Sequence, residues 1–264
     1  MNRTLVTSCI VSALILCGCN GKVVLPEKDW QNDPFTGSLH GNVKSITTCT
    51  VIDSVPDWDE KSVALYDKQG LCVETRNYSK LYDTLYQKSL YTYNDEKLIA
   101  EIYETGFKGQ FLSRSTFTYD YEKRQIQMDF VYTDEGANLV RNYSYDEHRH
   151  LTSYNVIHPQ CEKPTQACTT VNKYDSEGRE ISSTTIQEKM GEKKTYTTTY
   201  LYNENGDVAE YQLVRNDNGN VLRHRRFTYR YDEHGNWTEQ RAEHLDGILP
   251  MGNTITVREI EYYD

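Results

Sequence analysis

The sequence predicts an all-β protein, a long antiparallel meander of about 15 strands made from repeated hairpins and curled into a spiral, half-barrel or sandwich. Three observations carry this. Tyr followed by Asp or Asn recurs at intervals of 26 to 32 residues. Residues before each pair alternate with period two. The chain holds 22 Tyr and no long Leu, Ile or Val run, a composition that suits half-buried pleated surfaces.

The repeat anchors are Tyr66-Asp67, Tyr93-Asn94, Tyr119-Asp120, Tyr145-Asp146, Tyr174-Asp175, Tyr202-Asn203, Tyr231-Asp232 and Tyr263-Asp264. Four run on to a glycine in one register: Gly70, Gly178, Gly206 and Gly235. Asp or Asn can bond the backbone two residues on, and Gly supplies the positive φ that closes a tight turn. Lys97, Lys123 and Arg149 take the glycine position elsewhere, so those turns are expected to be bulged or differently built.

Upstream, Tyr196, Tyr200 and Tyr202 share one strand face, as do Phe227, Tyr229 and Tyr231, and Phe117 with Tyr119. Downstream, Glu74, Glu101, Glu210 and Glu239 fall four places after the glycine position. A catalytic constellation is unique, whereas a repeat makes a ladder, so these carboxylates are expected on a solvated face balanced by Lys and Arg. The tyrosines are expected to pack into the core; the alternative is an exposed aromatic surface that stacks on sugars.

These Tyr-Asp-x-x-Gly units, with the run from Tyr231 to Glu239, resemble the YD repeats of RHS proteins. The segments Gly41–Ile46 and Val257–Tyr263 resemble those of small Bacteroidetes lipoproteins with such repeats. The resemblance spans roughly residues 39–264. It implies a β-sheet wall, which in large RHS proteins forms a shell around a toxin. This chain is far shorter than such shells, so an enclosing role is not expected.

The first residues are organised for export. Arg3 is followed by an uncharged run from Leu5 to Gly18. About 20 residues are needed to span a bilayer as a helix, so this run reads as a secretory signal. Leu16-Cys17-Gly18-Cys19 resembles the bacterial lipobox, which implies cleavage before Cys19 and acylation of that cysteine. Residues 1–18 are thus expected to be the signal, 19–37 a lipidated tether and 38–264 the β domain. Asn20, rather than Asp, follows the cysteine, which favours an outer membrane.

The formal net charge of −10 disfavours phosphate-rich partners, and no nucleic acid is expected. Besides the anchor region the chain holds Cys49, Cys72, Cys161 and Cys168. An oxidising compartment permits bridges: a local one between Cys161 and Cys168, and one between neighbouring strands for Cys49 and Cys72. Four cysteines allow three pairings, and the sequence leaves the choice open.

No Gly-x-Ser-x-Gly, phosphate loop or His-Glu-x-x-His is present. His148 and His150 read as a turn rather than metal ligands, and Asp217-Asn218-Gly219-Asn220 lacks the distal glutamate of a calcium loop. No cofactor or metal is expected. The expected function is a non-enzymatic, lipid-anchored envelope scaffold or binding module for glycan or protein. The alternatives are an envelope enzyme acting on polysaccharide through an Asp/Glu pair, or an accessory of polymorphic-toxin shells.

Overall fold

The computed structural model describes residues 39–52, 55–79, 84–132, 137–146, 151–157, 166–189, 191–248 and 252–264. Sixteen strands follow one another. They are β1 (Val43–Ile52), β2 (Val55–Tyr66), β3 (Cys72–Ser79), β4 (Thr84–Tyr93), β5 (Ile99–Gly106), β6 (Phe111–Asp120), β7 (Gln125–Tyr132) and β8 (Ala137–Tyr145). Then come β9 (Leu151–Ile157), β10 (Gln166–Tyr174), β11 (Glu180–Lys189), β12 (Glu192–Tyr202), β13 (Val208–Arg215), β14 (Asn220–Tyr231), β15 (Trp237–Asp246) and β16 (Thr254–Tyr262). Each pairs antiparallel with the next, and β1 pairs with β16 from Val43 opposite Tyr262 to Thr50 opposite Thr256. The meander therefore closes fully into a barrel, and no strand is left as an edge.

The repeat sits at one rim, where β2–β3 and every second hairpin after it turn. Five of these turns share one bonding scheme. In the first, Oδ1 of Asp67 accepts from the backbone N–H of Gln69 and Leu71. The Gly70 N–H donates to the Asp67 carbonyl, and the Asp67 N–H donates to the Leu71 carbonyl. Asn94, Asp175, Asn203 and Asp232 repeat these bonds in their own turns. One side-chain oxygen thus satisfies two amides that the turn would otherwise leave unpaired, which is why Asp or Asn recurs. Gly70, Gly178, Gly206 and Gly235 have φ between +77° and +86°. Lys97 adopts φ 65° in the same scheme. The turn after β6 is built differently: Lys123 Nζ and N–H both donate to Asp120, and the positive φ moves to Arg124. Arg149 lies outside the described residues.

A feature with no sequence signature closes the sheet. The strand register slips beside the turn tyrosine in six of the seven hairpins at this rim, at Tyr66, Tyr93, Tyr145, Tyr174, Tyr202 and Tyr231. Each bulge adds one residue to the strand after the turn and increases twist. Repeated around the rim, they bend the sheet by a similar increment each time. A regular source of curvature leads to closure, not to a sandwich.

The expected pairing of Cys49 with Cys72 is corrected by register. On β2, Cys49 stands opposite Lys61 and Cys72 opposite Tyr66. Five residues of strand separate them by about 17 Å, far beyond a disulfide's reach. Cys72 and Cys168 are buried free thiols. Cys161, Cys19, His148 and His150 lie outside the described residues.

Candidate functional site: the barrel lumen

Alternation assigns every strand one inward and one outward face. The turn tyrosines face inward, and the hydroxyls of Tyr93, Tyr119 and Tyr202 join one hairpin to the one before it. Tyr93 donates to the Cys72 carbonyl at 2.6 Å, Tyr119 to Ile99 at 2.8 Å and Tyr202 to Glu180 at 2.6 Å. In the last full hairpin Tyr229 takes this role, donating to Val208 at 2.8 Å. Tyr231 instead donates to Asp207 Oδ2 at 2.7 Å and accepts from Asn203. Tyr262 makes the matching pair with Asp232 and Asn236. Burial, then the nearby carboxylate, pushes the hydroxyls of Tyr231 and Tyr262 up to about 12. These tyrosines are structural, in line with the core-packing expectation.

Inward residues near the turn rim are apolar and almost wholly covered: Ile99, Ile126, Val208 and Trp237 are at most 4% exposed. Further along the strands the inward face becomes polar. Four places before the turn tyrosine it carries Ser62, Ser89, Ser115, Arg141, Thr170 and Thr198. Glu104 on β5 is part of this zone, and it accepts from Gln87 at 2.9 Å, from Ser89 at 3.1 Å and from Ser113. These partners satisfy a carboxylate inside the wall.

On the opposite side of the lumen an aromatic row crosses β12, β13 and β14. Tyr200 stacks on Tyr211 at 6.5 Å between centroids, and Tyr211 stacks on Phe227 at 6.0 Å. Beside it β14 places Arg223 and Arg225 inward, and Arg225 stands between Tyr211 and His244 in register. This combination of basic and aromatic side chains was not read from the sequence. Its signal was present as the alternation of Arg223, Arg225 and Phe227, which continues the inward face of Tyr229 and Tyr231.

The outward face is charged along the strands. Glu74 pairs with Arg76 and with Lys88 at 2.9 Å, and Glu101 with Arg114 at 4.0 Å. Glu210 pairs with His224 at 2.7 Å and Arg226 at 3.4 Å, and Glu239 with Arg230 at 3.6 Å and Arg241 at 2.6 Å. The four repeat glutamates are therefore balanced by cationic partners on the outward face, as expected, but Glu74 and Glu239 are largely covered by them rather than solvated. The hydrogen bond from His224 holds Glu210 below the usual carboxylate range. Asp217–Asn220 is a plain turn, in which Asp217 pairs with Arg215 and Gly219 takes φ 70°. Among the described residues no cluster of three or more metal-ligating side chains occurs.

Closure, strand count and lumen place the chain among large antiparallel β-barrels. A porin-like protein from Bacteroides uniformis matches it over 84% of this chain and 99% of that one, at 14% identity and a TM-score of 0.51. A porin-like protein from Bacteroides vulgatus matches over 84% and 98%, at 13% identity and a TM-score of 0.52. At such identity the likeness is one of fold. No protein-family model matches the chain, and no curated protein matches its sequence.

Proposed function

We propose that this protein is a lipid-anchored envelope binding module whose barrel stands in water and takes a glycan into its lumen without turning it over. The charged outward face carries this reading. A barrel that crosses a bilayer presents an outward apolar band about 25 Å tall. Here Glu74, Glu101, Glu210 and Glu239, with their Lys, Arg and His partners, place ion pairs on the outward face of β3, β5, β13 and β15 and their neighbours. Lys and Arg facing hydrocarbon at the bilayer midplane would each cost about 2–4 kcal/mol, and Glu less.

Chain direction supports the anchor's place. β1 begins and β16 ends at the turn rim, so a tether from Cys19 attaches there and the opposite rim faces away. The half-buried Tyr200 and Tyr211 rings suit stacking on a sugar. The porin-like neighbours from Bacteroides support an envelope setting.

Fractionation of a Cys19→Ser variant tests the placement. The variant is expected in the soluble envelope fraction without detergent, and the parent in the membrane. A variant that still requires detergent would mean an inserted barrel. A glycan array probed with the same variant tests binding.

A further inference from the structure

The arginines of β14 differ by face. Outside, Arg226 and Arg230 each meet a carboxylate, as do Arg76, Arg114 and Arg241 on other strands. Inside, Arg223 and Arg225 meet none among the described residues. Arg225 is 8% exposed, and its Nη2 donates to Thr254 Oγ1 at 2.9 Å and to the carbonyls of Gly252 at 3.3 Å and Ala242 at 3.4 Å. Those contacts fix the guanidinium against the β15–β16 connection but supply no countercharge. Among the described residues, the Nε atoms of Arg223 and Arg225 and Nδ1 of His244 are buried without a hydrogen-bond partner.

Two guanidinium groups two residues apart on one strand face, with no acid between them, repel each other and are costly to desolvate. Burial pulls the Arg225 guanidinium down, and the charge of Arg223 adds to this against the opposing effect of Tyr211. In a chain of net charge −10 the uncompensated positive charge on this wall stands out. A bound anion would remove both costs, since guanidinium forks match the planar or tetrahedral oxygens of carboxylate and sulfate. The aromatic row of Tyr200, Tyr211 and Phe227 adjoins the same wall.

We propose that Arg223 and Arg225, with His244 beside them, form an oxyanion site in the lumen that seats a carboxylate or sulfate group. Such a group is carried by acidic saccharides, so the site narrows the ligand class of the proposed lumen binding, on which that part rests. Its position at the start of β14 and the end of β15 puts it near the rim away from the anchor.

Thermal unfolding of the full chain in detergent, with sodium sulfate against sodium chloride at equal ionic strength, tests the oxyanion site. Sulfate is expected to raise the melting temperature of the parent and of Arg226→Gln, which changes the outward neighbour, clearly more than that of Arg223→Gln, which keeps only sulfate's general stabilising effect. No sulfate-specific rise, or an equal rise in Arg223→Gln, would overturn the site. Calorimetric titration with oligogalacturonate, its methyl ester and acetate then separates the sources. Binding of the acid about tenfold tighter than ester or acetate supports a saccharide-borne group. Equal affinity for acetate and acid overturns the saccharide source and leaves a free-ion site. Ester binding without any sulfate effect would sink the oxyanion site and keep glycan binding. A sulfate effect with no oligosaccharide bound would do the reverse.

Discussion

The hydroxyl of Tyr263 donates to the main-chain carbonyl of Tyr66 at 2.6 Å. It joins the last repeat to the first, 197 residues earlier, across the seam where β16 meets β1. Tyr93, Tyr119 and Tyr202 each donate to the carbonyl six residues after the preceding repeat's tyrosine, whereas Tyr263 donates to the carbonyl of the first repeat's tyrosine itself, on β2 beyond β1.

Removing that hydroxyl alone should weaken the seam. Tyr263→Phe keeps the ring and leaves a half-buried carbonyl without its donor, so a loss of about 1 kcal/mol is expected. Urea unfolding followed by near-ultraviolet dichroism measures it. A variant as stable as the parent would show that the seam does not depend on this bond.

Two glycines should differ in the reason for their cost. At Gly206, φ is +84° and a Cβ would meet nothing within 4 Å, so Gly206→Ala is expected to cost about 1 kcal/mol through backbone strain alone. At Gly247 a Cβ would lie 2.6 Å from the Leu222 carbonyl oxygen, and Gly247→Ala should cost clearly more. Equal melting temperatures for the two variants would refute the distinction.

Asp207 links pH to stability. Burial raises its carboxyl above the usual 3.8, against the opposing pull of the Tyr231 hydrogen bond, Arg258 and His40. A raised folded value means that the native state holds the proton longer than the unfolded chain. This group's contribution therefore falls as pH rises from 3.8 through the folded value. Asn236 occupies the same place in the next hairpin and bonds Tyr262 without a charge. Asp207→Asn should accordingly be more stable than the parent at neutral pH, and the gain should vanish in acid. Melting temperatures from pH 3 to 7 would decide it, and a gain that persists in acid contradicts this account.

The Glu104 cluster should respond asymmetrically. Ser89→Ala leaves the carboxylate with Gln87 and Ser113 and is expected to cost about 1 kcal/mol. Glu104→Leu strips the acceptor from three donors at once and is expected to cost roughly 3 kcal/mol. Denaturant titration of both variants provides the check, and equal costs would argue against a shared network.

Composition and spacing determined the local structure, because each local rule acts within a few residues. Tyr231-Asp232-x-x-Gly235 could be read as a turn since one Asp oxygen reaches two amides and Gly235 tolerates φ +86°. The same period placed Glu74, Glu101, Glu210 and Glu239 on one face, as strand alternation requires. Closure was decided only in three dimensions. It depends on register slips beside the tyrosines and on β1 meeting β16, and a bulge residue such as Ala209 or Thr238 looks like any other strand residue. Tertiary structure also separated two kinds of arginine. Arg225 and Arg226 are neighbours in the chain, yet a one-residue step turns one into the lumen, with no carboxylate among the described residues, and the other onto Glu210 outside. The face each occupies is meaningful only once the sheet has closed and given itself an inside.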